Sequence, residues 1–331
     1  MSLGLIVVCA LILGSEFVNG WTDAPNAIAT VVSTRALTPR QAVLMAACLN
    51  FVGVLSGTAV AKTVGQGIVN ASAIDLTTLG SAMVGIIFWS SLAARYGLPT
   101  SESHALVAGL AGAGMATAGP SVLLSEGWRK VGMGLVFSTV LGFTVGIIVI
   151  LIIYRICGRM SRSRVMARFR WLQVFSSAFV AFSHGSNDGQ KFMGPFSLAL
   201  VMGGVLPVFR IPLWVMALCA ITMGVGTAVG GWRIIRTLGM RLTHLDYVHG
   251  FAAETAAAST IEFASRLGIP LSTTHTVTTS ILGVGVPRGL KAVRWGVTMN
   301  VVSAWLLTFP VCGLIGWGAV KIVRFFEGLL I

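Results

Sequence analysis

Gly97-Leu98-Pro99-Thr100-Ser101-Glu102-Ser103-His104 and Gly268-Ile269-Pro270-Leu271-Ser272-Thr273-Thr274-His275 decide how this chain is organised. The two stretches share a glycine, a proline, a serine and a histidine at the same offsets, and the glycines eight and ten residues after each histidine match as well (Gly112 and Gly114; Gly283 and Gly285). A second, thinner pair lies upstream. Asn19-Gly20-Trp21-Thr22-Asp23-Ala24-Pro25-Asn26 and His184-Gly185-Ser186-Asn187-Asp188-Gly189-Gln190-Lys191 share a glycine followed three residues later by an aspartate. Both motifs recur in the same order, once in each half of the chain.

Composition names the solvent. Of 331 residues 55% are hydrophobic and 10% charged, with a mean hydropathy of +0.88, whereas soluble domains carry about 25% charged residues. A bilayer is therefore expected around this chain. The net charge of +13 does not point to nucleic acid, because the basic residues sit between apolar stretches and build no continuous face. Cys9, Cys48, Cys157, Cys219 and Cys312 form no CxxC or Cys/His cluster, so neither a disulfide framework nor a metal site is expected, and no cofactor. Met1 to Gly14 lacks the basic start and the cleavage site of a signal peptide and reads as the first span.

The expected architecture is an all-α integral membrane protein with ten to twelve membrane segments, since a span needs roughly 20 apolar residues. Candidate crossings fall at residues 3–19, 41–61, 76–94, 101–118, 131–154, 171–186, 211–230, 247–265, 272–287 and 295–320. The stretches 22–34 and 189–203 are too short for ordinary crossings and read as broken or re-entrant helices. Residues 1–154 and 171–331 form two repeats joined by the basic linker 155–170. Five crossings per half, an odd number, invert the second repeat relative to the first. Placing the linker in the cytoplasm puts fifteen Lys/Arg residues inside and seven outside, with both termini on the outer face.

In each Pro/Ser motif the proline suits the first turn of a helix and the hydroxyl residues suit its cap. A helix N-terminus inside the membrane offers unpaired N–H groups and partial positive charge, an anion site that needs no arginine. Thr100, Ser101 and Ser103, with Ser272, Thr273 and Thr274, can donate further hydrogen bonds to a tetrahedral oxyanion enclosed between the two ends. Asp23, Glu102, Asp188 and Glu254 lie in or beside apolar segments, where ionised carboxylates serve ion or proton pathways. His104 and His275 are candidates for proton carriers or for a hydrogen bond between helices. Serine and histidine on one helix make no catalytic triad, so a hydrolase is not expected; uptake against a gradient separates a carrier from an anion channel.

At these residues the chain resembles the inorganic phosphate transporter (PiT) family, with its bacterial low-affinity members the nearest type. The resemblance covers Gly20 to Gln41, Gly97 to Gly114, His184 to Pro195 and Gly250 to Gly285. It implies phosphate as substrate, ion symport and a homodimer in the inner membrane. By the family's signature, Asp23 and Asn26 in the first half, and Asn187 and Asp188 in the second, are implied ligands of the coupling ion. Thr22 and Lys191 depart from it, each standing where the sodium-coupled pattern has an asparagine. The departure implies protons in preference to sodium, with phosphate carried free or as a metal–phosphate complex. Sulfate, which some bacterial members of this fold carry, and sodium coupling remain the alternatives.

Overall fold

The computed structural model describes residues 2–329, and these form helices, turns and two isolated β-bridges. The first half contains α1 (Leu3–Ser33), α2 (Pro39–Val54), α3 (Ala59–Gly67), α4 (Leu76–Tyr96), α5 (Glu102–Ala118), α6 (Ser125–Val136) and α7 (Gly142–Cys157), the last two joined through a π-helical turn. The second contains α8 (Arg162–Lys191), α9 (Met193–Met202), α10 (Leu213–Val229), α11 (Trp232–Arg236), α12 (Tyr247–Arg266), α13 (Thr273–Gly285) and α14 (Trp295–Leu329).

Among the described residues, four helical stretches are long and apolar enough to cross a membrane: Leu3–Ser33, Leu76–Tyr96, Ser125–Cys157 and Trp295–Leu329. The number is six if α2–α3 and α10–α11, bent by 69° and 63°, each count as one span. The other expected crossings fall on α5, α8, α12 and α13, which are shorter or more polar. Every residue of α13 and most of α5 is buried, so these helices meet other helices rather than lipid and need no lipid-compatible surface. Leu151, Ile152, Leu306, Leu314 and Phe325 on α7 and α14 face outward instead.

One of the two expected breaks is present and one is not. Residues 22–33 continue α1 without interruption through Pro25, whereas within 189–203 the helix breaks at Phe192, between the end of α8 at Lys191 and the start of α9 at Met193. Asp23 and Asp188 therefore sit inside long helices. The bends follow α2 and α10, where Ser56-Gly57 and Gly230-Gly231 interrupt the helical run. Residues 162–170 of the basic linker are also helical and open α8, which leaves a short connection of residues 158–161.

The glycine shared by the upstream motifs has a packing role. A methyl group at Gly20 would lie 2.3 Å from the Met223 carbonyl oxygen of α10, and one at Gly185 would lie 2.2 Å from that of Asn50 in α2. These distances bring α1 against α10 and α8 against α2 at backbone contact, the close approach that small residues permit in membrane helices. Two apolar cores flank the crossing region. Leu5, Val8 and Ile12 of α1 belong to one, with α4, α5 and α9; Ala27, Ile28 and Val31 belong to the other, with α8, α12 and α13. The polar residues of α1 and α8 lie between them.

Candidate functional site

Helices α5 and α13 are opened in the same way. Gly97 and Gly268 adopt left-handed φ values of +69° and +65°, a conformation glycine takes without a Cβ clash, and turn the chain after α4 and α12. Ser101 and Ser272 then cap the next helix, each accepting from the backbone N–H of His104 or His275 at 3.3 and 3.2 Å. Pro99 and Pro270 stand two residues before these caps and not in the first turn. Their restriction of the preceding residue keeps the entering chain extended.

The two N-termini meet. Ser103 Oγ donates to the Leu271 carbonyl at 2.8 Å, and the rings of His104 and His275 lie edge to face with centroids 4.7 Å apart. His275 stacks on Trp305 at 3.7 Å, and His104 packs on Phe309. A hydrogen bond between helices was one expectation for these histidines; aromatic packing takes its place. Neither nitrogen of His275 nor Nδ1 of His104 has a partner among the described residues.

Helices α1 and α8 bring the acids to this meeting point. Thr274 Oγ1 donates to Asp23 Oδ1 at 3.0 Å and accepts from Asn26 Nδ2 at 3.0 Å, while Thr273 Oγ1 donates to Asp188 Oδ2 at 2.9 Å. Glu102, the first residue of α5, accepts from Thr22 at 2.9 Å and from Ser90 at 2.8 Å. Lys191 is fully buried, with its Nζ 2.5 Å from Asp188 Oδ1. The same ammonium donates to Ser103 Oγ and, at 3.0 Å, to the Leu271 carbonyl. Thr100 is buried just ahead of this cluster. Thus Ser103, Thr273 and Thr274 face a lysine, a backbone carbonyl or carboxylates, Ser101 and Ser272 face the backbone N–H groups they cap, and these residues are all buried.

Two expected members stand apart. Asn187 Nδ2 turns to Ser265 Oγ at 2.9 Å and to the Ile269 carbonyl, against α12 and the turn after it. Glu254 accepts from Thr30, Ser176 and Gln173 at a separate junction of α1, α8 and α12. Composition and spacing did not single out His184. It lies one turn before Asp188, bonded to Asn50 at 3.1 Å, with Nε2 3.5 Å from Asp188 Oδ2. Ligand atoms of Asp23, His184 and Asp188 come within 4.8 Å of one another, close enough to hold a cation. Glu16 and its neighbour Asn19 were missed for the same reason: neither residue type recurs at the matching offset in the second half, where Asn19 is answered by His184. Periodicity along α1 was the available signal.

The model of the phosphate transporter family matches residues 19–167 and 157–316, which together span the motifs, the site helices and most of the chain. The chain belongs to the phosphate transporter family. Its relatives include a probable low-affinity inorganic phosphate transporter of Rhizobium meliloti, 41% identical over 94% of both chains. Another, from Bacillus subtilis, is 38% identical over 94% of both chains and carries the same description. A solved structure named the sodium-dependent phosphate transporter superposes with a TM-score of 0.90 at 26% identity, covering 98% of this chain and 100% of that one. Family members with these descriptions are transporters rather than enzymes, and the apolar helices fit a multi-pass membrane protein.

Proposed function

We propose that this protein is a secondary active transporter that imports inorganic phosphate across the inner membrane by symport with protons. The observation that carries the substrate is the meeting of two buried helix N-termini, each furnished with hydroxyl side chains, beside acid-bearing helices. Exposed N–H groups and hydroxyls suit an oxyanion, and Asp or Glu beside them can accept the proton that phosphate carries and sulfate lacks. Thr100, Ser101, Ser103, Ser272, Thr273 and Thr274 contact the substrate in this reading. In the closed arrangement carboxylates hold Thr273 and Thr274, so substrate entry exchanges those bonds for bonds to phosphate.

Proton coupling is supported by Lys191. A fixed ammonium on Asp188 repels sodium and neutralises that carboxylate, leaving Asp23, Glu102 or a neighbouring acid to carry the transported charge. Asn26, Asn187 and Glu254 complete the coupling residues, with His104 and His275 as structural rings at the helix ends. Sodium coupling is the second reading, favoured by the likeness to a structure named as sodium-dependent.

The architecture in this reading is two inverted repeats, residues 1–154 and 171–331, joined by a cytoplasmic linker 155–170 within ten to twelve membrane segments, and both termini face outward. Paired features support it: the bends at 69° and 63°, the serine caps, the left-handed glycines, and the isolated bridges Val69–Leu123 and Thr243–Val293. A homodimer is part of the same proposal. Counterflow of labelled phosphate in proteoliposomes tests the substrate: arsenate competes strongly and sulfate weakly, and the reverse order overturns the assignment. A divalent metal added to the same assay tests whether a metal–phosphate complex is the carried species.

A further inference from the structure

We infer that Glu16, on the N-terminal side of Asp23, is the carboxyl that loads and releases the coupling proton. Helix α1 carries Glu16, Asn19, Asp23, Asn26 and Thr30 at intervals of three and four residues, which places them along one face, and all five are buried. Asn19 Nδ2 donates to Glu16 Oε2 at 3.1 Å. Glu16 Oε1, Asn19 Oδ1 and Asn26 Oδ1 have no partner among the described residues. Each bare atom on this face is an oxygen acceptor. Buried acceptors without donors are costly, so the face lacks positive hydrogen and not negative charge.

The distribution of charge leads to one residue. Glu16, Asp23, Glu102, Asp188 and Glu254 are each buried, and Lys191 is the one buried lysine or arginine among the described residues. It pairs with Asp188. Glu102 and Glu254 receive donors on both carboxyl oxygens, and Asp23 receives the hydroxyl of Thr274. Glu16 has a single amide N–H for the whole group. Asp23 also has one donor, but of the five carboxylates Glu16 alone leaves a buried oxygen bare among the described residues. A proton bound to it removes the charge and creates an O–H donor for a bare acceptor.

A hard metal cation gathers about six or more oxygens, while Glu16 and Asn19 leave two bare. The charged and titratable groups close enough to act on Glu16 through charge are Cys219 on α10, Asp188 and Lys191 on α8, and Glu102 on α5; α4 meets this part of α1 through Ser15 and the Met83 carbonyl. The lysine opposes a second fixed cation there and tolerates a neutral acid. Glu16 lies two helical turns, about 10 Å, from Asp23, so its protonation acts on the substrate site through charge and not through contact.

This inference rests on proton symport, and its test separates the two. Wild type and Glu16→Gln are compared in proteoliposomes for phosphate accumulation under a proton gradient without sodium, and for phosphate counterflow at equal pH. Wild type is expected to accumulate phosphate. In Glu16→Gln the ratio of gradient-driven uptake to counterflow is expected to fall about tenfold or more. Wild-type failure without sodium overturns the proton reading itself; an unchanged ratio in the variant, with wild type proton-driven, overturns only the role of Glu16. If Glu16→Gln does not insert, Glu16→Asp serves: it keeps a titratable carboxyl at altered reach and should shift the pH profile of gradient-driven uptake. An unshifted profile overturns the inference.

Discussion

Lys191 Nζ lies 2.5 Å from Asp188 Oδ1 and also donates to Ser103 Oγ and the Leu271 carbonyl. One buried ammonium thereby ties α8 to the entry segments of both α5 and α13. Its ammonium is enclosed by protein groups and does not reach out to the protein surface. Breaking a buried ion pair by removing one partner costs roughly 3–5 kcal/mol, because the remaining charge is left uncompensated. Lys191→Asn is expected to lower the unfolding temperature in detergent and to lose proton-driven uptake. Retained wild-type uptake in this variant, or sodium-stimulated uptake by the wild type without a proton gradient, would refute the coupling role.

The hydroxyls divide into two kinds. Ser101 and Ser272 cap α5 and α13, and replacing a serine cap by alanine costs about 0.5–2 kcal/mol of stability. Their hydroxyl protons remain available to substrate, so both Ser101→Ala and Ser272→Ala should raise the apparent Km as well. Thr273 and Thr274 have no capping role and donate to Asp188 and Asp23. Thr273→Val and Thr274→Val should raise Km by the loss of a charge-assisted bond, roughly 1.5–3 kcal/mol, with a smaller effect on stability than the serine variants. Equal Km in all four variants and the wild type would sink the paired site.

Gly20 and Gly185 are the contact points of α1 with α10 and of α8 with α2. An added methyl would meet backbone oxygen in each case, and backbone cannot rotate away. Gly20→Ala and Gly185→Ala are expected to cut the yield of folded protein, whereas Gly132→Ala, where a methyl meets nothing within 4 Å, should not. Size-exclusion profiles of the three variants decide this; equal monodisperse yields would contradict the packing role.

Glu254 joins Thr30, Ser176 and Gln173 across three helices. Removing the carboxyl leaves several buried donors unpaired, at about 1–3 kcal/mol each. Glu254→Ala should therefore destabilise the protein strongly, and Glu254→Gln, which keeps an acceptor oxygen, much less. A thermal shift for Glu254→Gln as large as that for Glu254→Ala would show that charge, and not hydrogen bonding, holds this junction.

The all-helical membrane character, the doubled Pro/Ser/His motifs and the acids that accompany them were legible in the sequence because they depend on local properties. Hydropathy reports the solvent a segment meets, and a serine at a helix start caps it through the backbone N–H three residues on, a purely local bond. Helix continuity through Asp23 and Asp188 was not legible. Glycine, asparagine and proline lower helical propensity locally, and only the packing of α1 on α10 and of α8 on α2 shows that these residues serve helix crossing.

Tertiary structure alone decided which polar groups share a site. Glu254 and Glu102 look alike as intramembrane acids, yet one lies with Thr30 on α1 and the other with Thr22, two turns away. His184 and Glu16 acquire meaning through partners distant in the chain, such as Asn50 for His184, or through lacking them, as for Glu16 Oε1. The sequence by itself determined the solvent, the repeated helix starts and the residue types offered to an anion. Only the fold determined who faces whom, because a buried charge is defined by what surrounds it in a low dielectric, and sequence spacing reaches no farther than the neighbouring turn.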